Sequence, residues 1–96
     1  MLTGKQRAYL RGLANQLEAS VYIGKNELTE ATLAEMNDYL NAHEMVKVKI
    51  QDNTELDPKT AANEAAAALG AEYVQAIGRR FVLYRPSEDK LIELPR

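Results

Sequence analysis

Val21-Tyr22-Ile23-Gly24-Lys25-Asn26-Glu27-Leu28-Thr29 is the stretch whose reading decides the fold class. A short β-branched and aromatic run stops at a glycine, a lysine and an asparagine follow, and a helical pattern opens after Leu28. This is a strand–loop–helix junction with a cationic connection. Backbone N–H groups at a helix N-terminus, with a lysine beside them, form a site for a phosphate. A four-residue clamp between such elements is also a way for small α/β modules to grip a nucleic-acid backbone. Glu27 is the discordant residue, because it places a negative charge in a loop otherwise suited to anions.

On the N-terminal side, Thr3 and Gln6 have the spacing of a capping box. Leu10, Leu13, Ala14 and Leu17 continue at helical spacing, which predicts a first helix running to about Ala19. Arg7 and Arg11, four apart, project together from one edge of it.

On the C-terminal side, Thr29 caps a second helix with Leu33, Met36 and Leu40 on its inner stripe, fading by His43. Met45 to Gln51 then alternates. Val46, Val48 and Ile50 point to one face and Lys47 and Lys49 to the other, which predicts a strand with a buried face and a wet, basic one. Asp57-Pro58 opens a third helix, with the acid as cap and proline at its first position. An alanine-rich run carries that helix to Gly70, a natural stop. Glu72–Ile77 and Arg80–Arg85 read as two further strands joined by a tight Gly78-Arg79 turn. Ser87 to Arg96 is a polar extension whose Leu91, Ile92 and Leu94 can tack onto the body.

The expected fold is α/β: one domain over residues 1–96, in the order α-β-α-β-α-β-β, with a mixed four-stranded sheet and a C-terminal extension at 87–96. Strands separated by helices are expected to pair in parallel through right-handed crossovers, and the last two to form an antiparallel hairpin.

Composition bounds the function. The 96 residues, 46% hydrophobic and 27% charged, suit an ordinary soluble domain too small for a deep enclosed active site. With no cysteine there is no disulfide, thiolate metal site or cysteine nucleophile. No apolar run reaches membrane-spanning length and the N-terminus lacks a signal core, so the expected location is the cytoplasm, with no membrane partner.

The net charge of −2 conceals segregation. Residues 1–26 sum to +3, residues 27–46 to −5 and residues 73–86 to +3. Such a bipolar surface can hold phosphate on one side whatever the total.

The lone histidine, His43, lies at a helix C-terminus, where a cation suits the dipole. Asp52 to Asp57 lacks the glycine and terminal glutamate of a calcium loop, and Gly24-Lys25-Asn26 lacks the rest of a nucleotide-binding P-loop. No nucleophile, base and orienting group assemble, so no enzymatic activity, cofactor, metal or small-molecule substrate is expected.

Several segments occur together and in order: Leu2-Thr3-Gly4-Lys5-Gln6-Arg7, then Gly24-Lys25-Asn26 with Leu28-Thr29-Glu30, then Val46-Lys47-Val48-Lys49-Ile50. Gln75-Ala76-Ile77-Gly78-Arg79, Val82-Leu83-Tyr84-Arg85-Pro86 and the terminal Leu94-Pro95-Arg96 follow. Over nearly the whole chain this pattern resembles the CRM domain in its bacterial stand-alone, YhbY-like form. The resemblance implies a fold like the C-terminal domain of translation initiation factor three and an RNA-binding role in ribosome assembly. The expected partner is ribosomal RNA of a large-subunit precursor, with ribosomal proteins nearby. The family's GxxG loop falls on Gly24, Lys25, Asn26 and Glu27, so here a glutamate replaces the second glycine.

In this reading Lys25 contacts phosphate, Gly24 and Asn26 shape the loop, and Lys5, Arg7 and Arg11 extend the basic surface. A variant places RNA on the open sheet face, on Lys47 and Lys49 with Tyr22. The alternative is a protein-interaction module with no RNA contact, whose acidic helix bearing Glu30, Glu35 and Asp38 docks a basic ribosomal protein.

Overall fold

The computed structural model describes residues 2–25, 28–52 and 54–96. Its elements run α1 (Gly4–Ala14), β1 (Val21–Ile23), α2 (Glu30–His43), β2 (Met45–Ile50), α3 (Pro58–Leu69), β3 (Glu72–Ile77) and β4 (Arg80–Tyr84). The α/β class, the element order and the mixed four-stranded sheet are as the sequence predicts.

The sheet order is β1-β2-β4-β3. β1 pairs in parallel with β2, and β4 lies antiparallel to both β2 and β3. This corrects the expected adjacency: β3 does run parallel to β2 after the α3 crossover, but β4 is inserted between them. Burial explains the insertion. Phe81, Val82, Leu83 and Tyr84 are all buried, a continuous apolar run suited to a strand covered on both faces, whereas β3 is only partly buried.

Each face of the sheet has its own core. Val21, Ile23, Val46, Val48, Ile50, Phe81 and Leu83 pack under α2 and α3, where Met36, Leu40 and Ala61, Ala62, Ala65 and Ala66 meet them. The small alanine side chains let α3 approach closely. The other face was expected to be wet. Instead Met45, Val74, Val82 and Tyr84 form a second core with Leu2, Leu10 and Ala14, and Leu13, Ile92 and Leu94 pack against it. Val74 joins it through an irregularity in the β3–β4 register between Tyr73 and Gln75.

The helix boundaries follow their caps. Thr3 and Gln6 make the capping box of α1, with both bonds at 3.1 Å. Thr29 and Thr32 make a reciprocal pair at α2, and Asp57 Oδ2 accepts from the Thr60 N–H at 2.9 Å at α3. The first helix stops at Ala14, five residues short of the expected Ala19. Its chain tightens into bonds from Gln16 N to Leu13 O and from Leu17 N to Ala14 O. The Lys47 ammonium then donates to the Ala14 and Leu17 carbonyls at 3.1 and 3.0 Å. A cation supplied by the sheet thus ends the helix, and neutralises the negative end of its dipole.

Glu44 closes α2 in the left-handed region at φ 66, where a non-glycine residue is strained. It is fully buried, and its carboxylate accepts from the Ser87 N–H and hydroxyl, both at 2.6 Å, and from the Ile92 N–H at 2.7 Å. Burial pushes this carboxyl up, but donation from Ser87, Ile92 and Leu91 outweighs it and holds the group below its ordinary value. The C-terminal segment is thereby latched across the second core, with Ile92 and Leu94 turned in and Leu91 left exposed.

Candidate functional site

The cations fall into two groups that the sequence did not separate. Arg79 donates to the carbonyls of Leu56 at 3.3 Å, Gln51 at 3.0 Å and Thr54 at 2.8 Å, clamping the loop after β2. Arg85 donates to the Leu69 carbonyl and the Asn41 side chain, each at 2.8 Å, and so ties the end of α3 to α2. Lys47 ends α1. Arg7 spends its Nε on the Tyr73 carbonyl at 3.3 Å. These residues hold the fold together. Lys5, Arg11, Lys25, Lys59, Arg80, Lys90 and Arg96 are exposed and Lys49 is half-buried, so they carry the outward positive charge. Of the three arginines between residues 73 and 86, only Arg80 faces solvent freely.

The expected site residues do not gather into one patch. Arg7 and Arg11 line a groove of about 500 Å³ between α1 and β3, with Asn63 and Tyr73 to Ile77. Lys5 lies two residues before Arg7, on the far side of the helix. Gly24 and the exposed Lys25 follow β1, at the opposite edge of the sheet. Three strand spacings, about 14 Å, separate the two edges. Asn26 and Glu27 lie outside the described residues.

Between these edges lies a row of side chains that sequence reasoning missed as a unit. Tyr22 pairs with Lys49, Lys49 with Arg80, and Arg80 with Ile77. Directly paired residues share a face, so this row crosses all four strands on the α1 side, just beyond the strip that α1 covers. Tyr22 is 55% exposed and Ile77 64%. Alternation did turn Tyr22 and Lys49 outward in the sequence, but Arg80 and Ile77 join them only through the strand order.

Three connections converge at this end of the sheet. The Gln51 N–H donates to the Ile23 carbonyl at 2.9 Å, and the Ile50 N–H donates to the Arg79 carbonyl at 2.7 Å. A Cβ on Gly24 would come within 3.2 Å of the Gln51 side-chain oxygen, a contact the exposed glutamine can relieve by a small shift. Elsewhere, His43 stacks on Tyr39 with ring centroids 5.1 Å apart, a local packing role. Among the described residues, no helix is long and apolar enough to cross a membrane.

The chain matches the CRS1/YhbY (CRM) domain over residues 2–85. It is 43% identical over 95 residues to a Haemophilus influenzae protein named an RNA-binding protein, covering 99% of this chain and 96% of that one. It is 36% identical over 96 residues to YqeI of Bacillus subtilis, designated a probable RNA-binding protein, covering 99% of this chain and all of the relative. In three dimensions it resembles a Staphylococcus aureus protein solved in solution and put forward as RNA-binding. The TM-score is 0.84 at 42% identity, over 99% of this chain and 100% of the other.

Proposed function

The chain belongs to the CRS1/YhbY (CRM) domain family, and from that membership we propose that it is an RNA-binding protein without enzymatic activity. The observation that carries this reading is the convergence of outward cations at one end of the sheet. Lys25 stands in the loop entering α2, with Lys49 and Arg80 on the adjoining strands, while Lys47, Arg79 and Arg85 are spent inside the fold. A chain of net charge −2 has no general affinity for polyanions, so a local concentration of this kind favours a specific phosphate contact.

Lys25 contacts phosphate, and Gly24 with Asn26 and Glu27 forms the loop of the clamp. Arg7 and Arg11 add a second contact across the sheet, with Lys5 at the margin. Each such contact positions the RNA without reading its sequence. The RNA is ribosomal, in a large-subunit precursor in the cytoplasm, where ribosomal proteins are neighbours.

Co-sedimentation of the tagged protein with ribosomal particles across a salt series tests this. Association with large-subunit precursors at low salt, falling by roughly one log unit per tenfold salt for each phosphate contact, is the expected result. Absence from those particles at low salt refutes the ribosomal assignment.

One observation favours a second reading. Glu30, Glu35 and Asp38 are all exposed on α2, an acidic face suited to a basic protein. On that reading, charge reversal on α2 abolishes particle association and Lys25→Glu leaves it intact.

A further inference from the structure

We propose that the cross-strand row Tyr22–Lys49–Arg80–Ile77 is a stacking platform for unpaired nucleotides, so that the bound RNA is single-stranded where it crosses the sheet. The inference rests on the RNA reading above and names the class of RNA that it takes.

Tyr22 sits between Val21 and Ile23, which are both fully buried under α2 and α3, so its ring is turned to the opposite face and away from that core. More than half of it is exposed. Its hydroxyl donates to the Ala19 carbonyl at 3.2 Å, which fixes the ring before any ligand arrives and lowers the ordering cost of binding. It borders a depression of about 370 Å³ lined also by Lys49 and Arg80. Lys47 lines it too, with its ammonium already committed to the end of α1. Glu18 also lines this depression; its carboxylate repels a phosphate but can accept from a base's exocyclic amine.

An exposed ring with cations on the neighbouring strands is what an unpaired base and its phosphates require. The base stacks on the ring, and its phosphates meet the ammonium and guanidinium. A duplex offers no free base face, so it would leave Tyr22 and Ile77 without a partner. A two-fold pairing of this face with itself would set Lys49 and Arg80 against their own copies, so the row suits a polyanion better than self-association through the same face.

The test is fluorescence anisotropy of the full chain with a labelled twelve-nucleotide oligouridylate and with a fully paired RNA hairpin, over a salt series. Tyr22→Ala should weaken oligouridylate binding about tenfold with the salt slope unchanged, as expected for the loss of one stacked base. Tyr22→Phe keeps the ring but loses the hydroxyl that fixes it, so it should weaken binding less than Tyr22→Ala does. Lys49→Ala and Arg80→Ala should each lower the single-strand salt slope by about 0.7. The hairpin should respond to Lys25→Ala and not to Tyr22→Ala. Circular dichroism and urea unfolding establish that each variant is folded.

If the parent binds oligouridylate and Lys25→Ala weakens it while the Tyr22, Lys49 and Arg80 variants do not, the platform is overturned and the RNA reading stands. If the parent binds neither RNA, both fall. Equal loss of hairpin and single strand in Tyr22→Ala overturns base stacking. So does concentration-dependent dimerisation in sedimentation that Tyr22→Ala abolishes while RNA affinity is retained.

Discussion

At one end of the sheet, Glu44 buries a carboxylate and satisfies it with donors from Ser87 and Ile92, while Arg85 closes the ends of α2 and α3. At the other end, Gly24-Lys25, the loop from Gln51 to Leu56 and the Gly78-Arg79 turn meet with Lys25 and Arg80 pointing outward. Both ends contain ionised side chains near loop backbone. At the first, the charge is spent on the protein's own N–H and carbonyl groups, and the surface is sealed. At the second, Arg79 is spent in the same way, and doing so holds the loops while its neighbour Arg80 stays available. Charge near a loop therefore says little about ligands until its hydrogen bonds are known.

The contrast breaks most visibly at Glu44. Glu44→Ala leaves three partly buried donors without their acceptor and should cost about 3 kcal/mol in urea unfolding. Amide exchange at Ser87 and Ile92 should accelerate with it, while RNA binding by the intact fraction stays as before. Glu44→Gly, which removes the same carboxylate but relieves the left-handed strain, should be less damaging by about 1 kcal/mol.

Acid probes the same latch. Because the folded-state carboxyl lies below its ordinary value, its contribution is complete at neutral pH. That contribution should fade as pH falls from the ordinary glutamate range through the lowered folded value. A plot of unfolding free energy against pH should show this decline in the parent and a flatter profile in Glu44→Gln.

At the open end, Arg79→Ala should cost about 1–2 kcal/mol, since water can replace part of what the guanidinium gave to three carbonyls. Hydrogen exchange should rise selectively in residues 54–56. The smallest effect should come from Glu27→Gly. If the loop binds phosphate as proposed, removing a negative charge from it should tighten RNA affinity a few-fold, about 1 kcal/mol or less, in a filter-binding titration at low salt. Unchanged affinity would move the main contact to α1 or to the sheet.

Much of this architecture was legible in the chain. Thr3-Gln6, Thr29, Asp57-Pro58 and Gly70 mark helix ends through local chemistry, and local chemistry is what sequence displays best. Strand order was harder. The continuous apolar run Phe81 to Tyr84 is what places β4 inside the sheet, but the β2–α3–β3 connection suggested direct pairing. The end of α1 was not legible, since it depends on Lys47, thirty-three residues away from Ala14. The buried role of Glu44 likewise requires a tail more than forty residues on. For the candidate site, the position of Lys25 in the connection after β1 was legible in the sequence. The separation of Lys25 from Arg7 and Arg11, and the row through Arg80 and Ile77, are products of register that no local pattern encodes.

The C-terminal latch has a consequence for where this module ends. The recurrent family pattern stops at residue 85, yet Ile92 and Leu94 shield Leu2, Leu10 and Tyr84. A boundary drawn by recurrence would cut through an apolar interior. A chain shortened to Arg85 would carry every residue of the proposed RNA surface and still expose a greasy flank prone to self-association. The unit that evolution repeats and the unit that water tolerates differ here by about one strap of polypeptide, and Glu44 is the bolt between them.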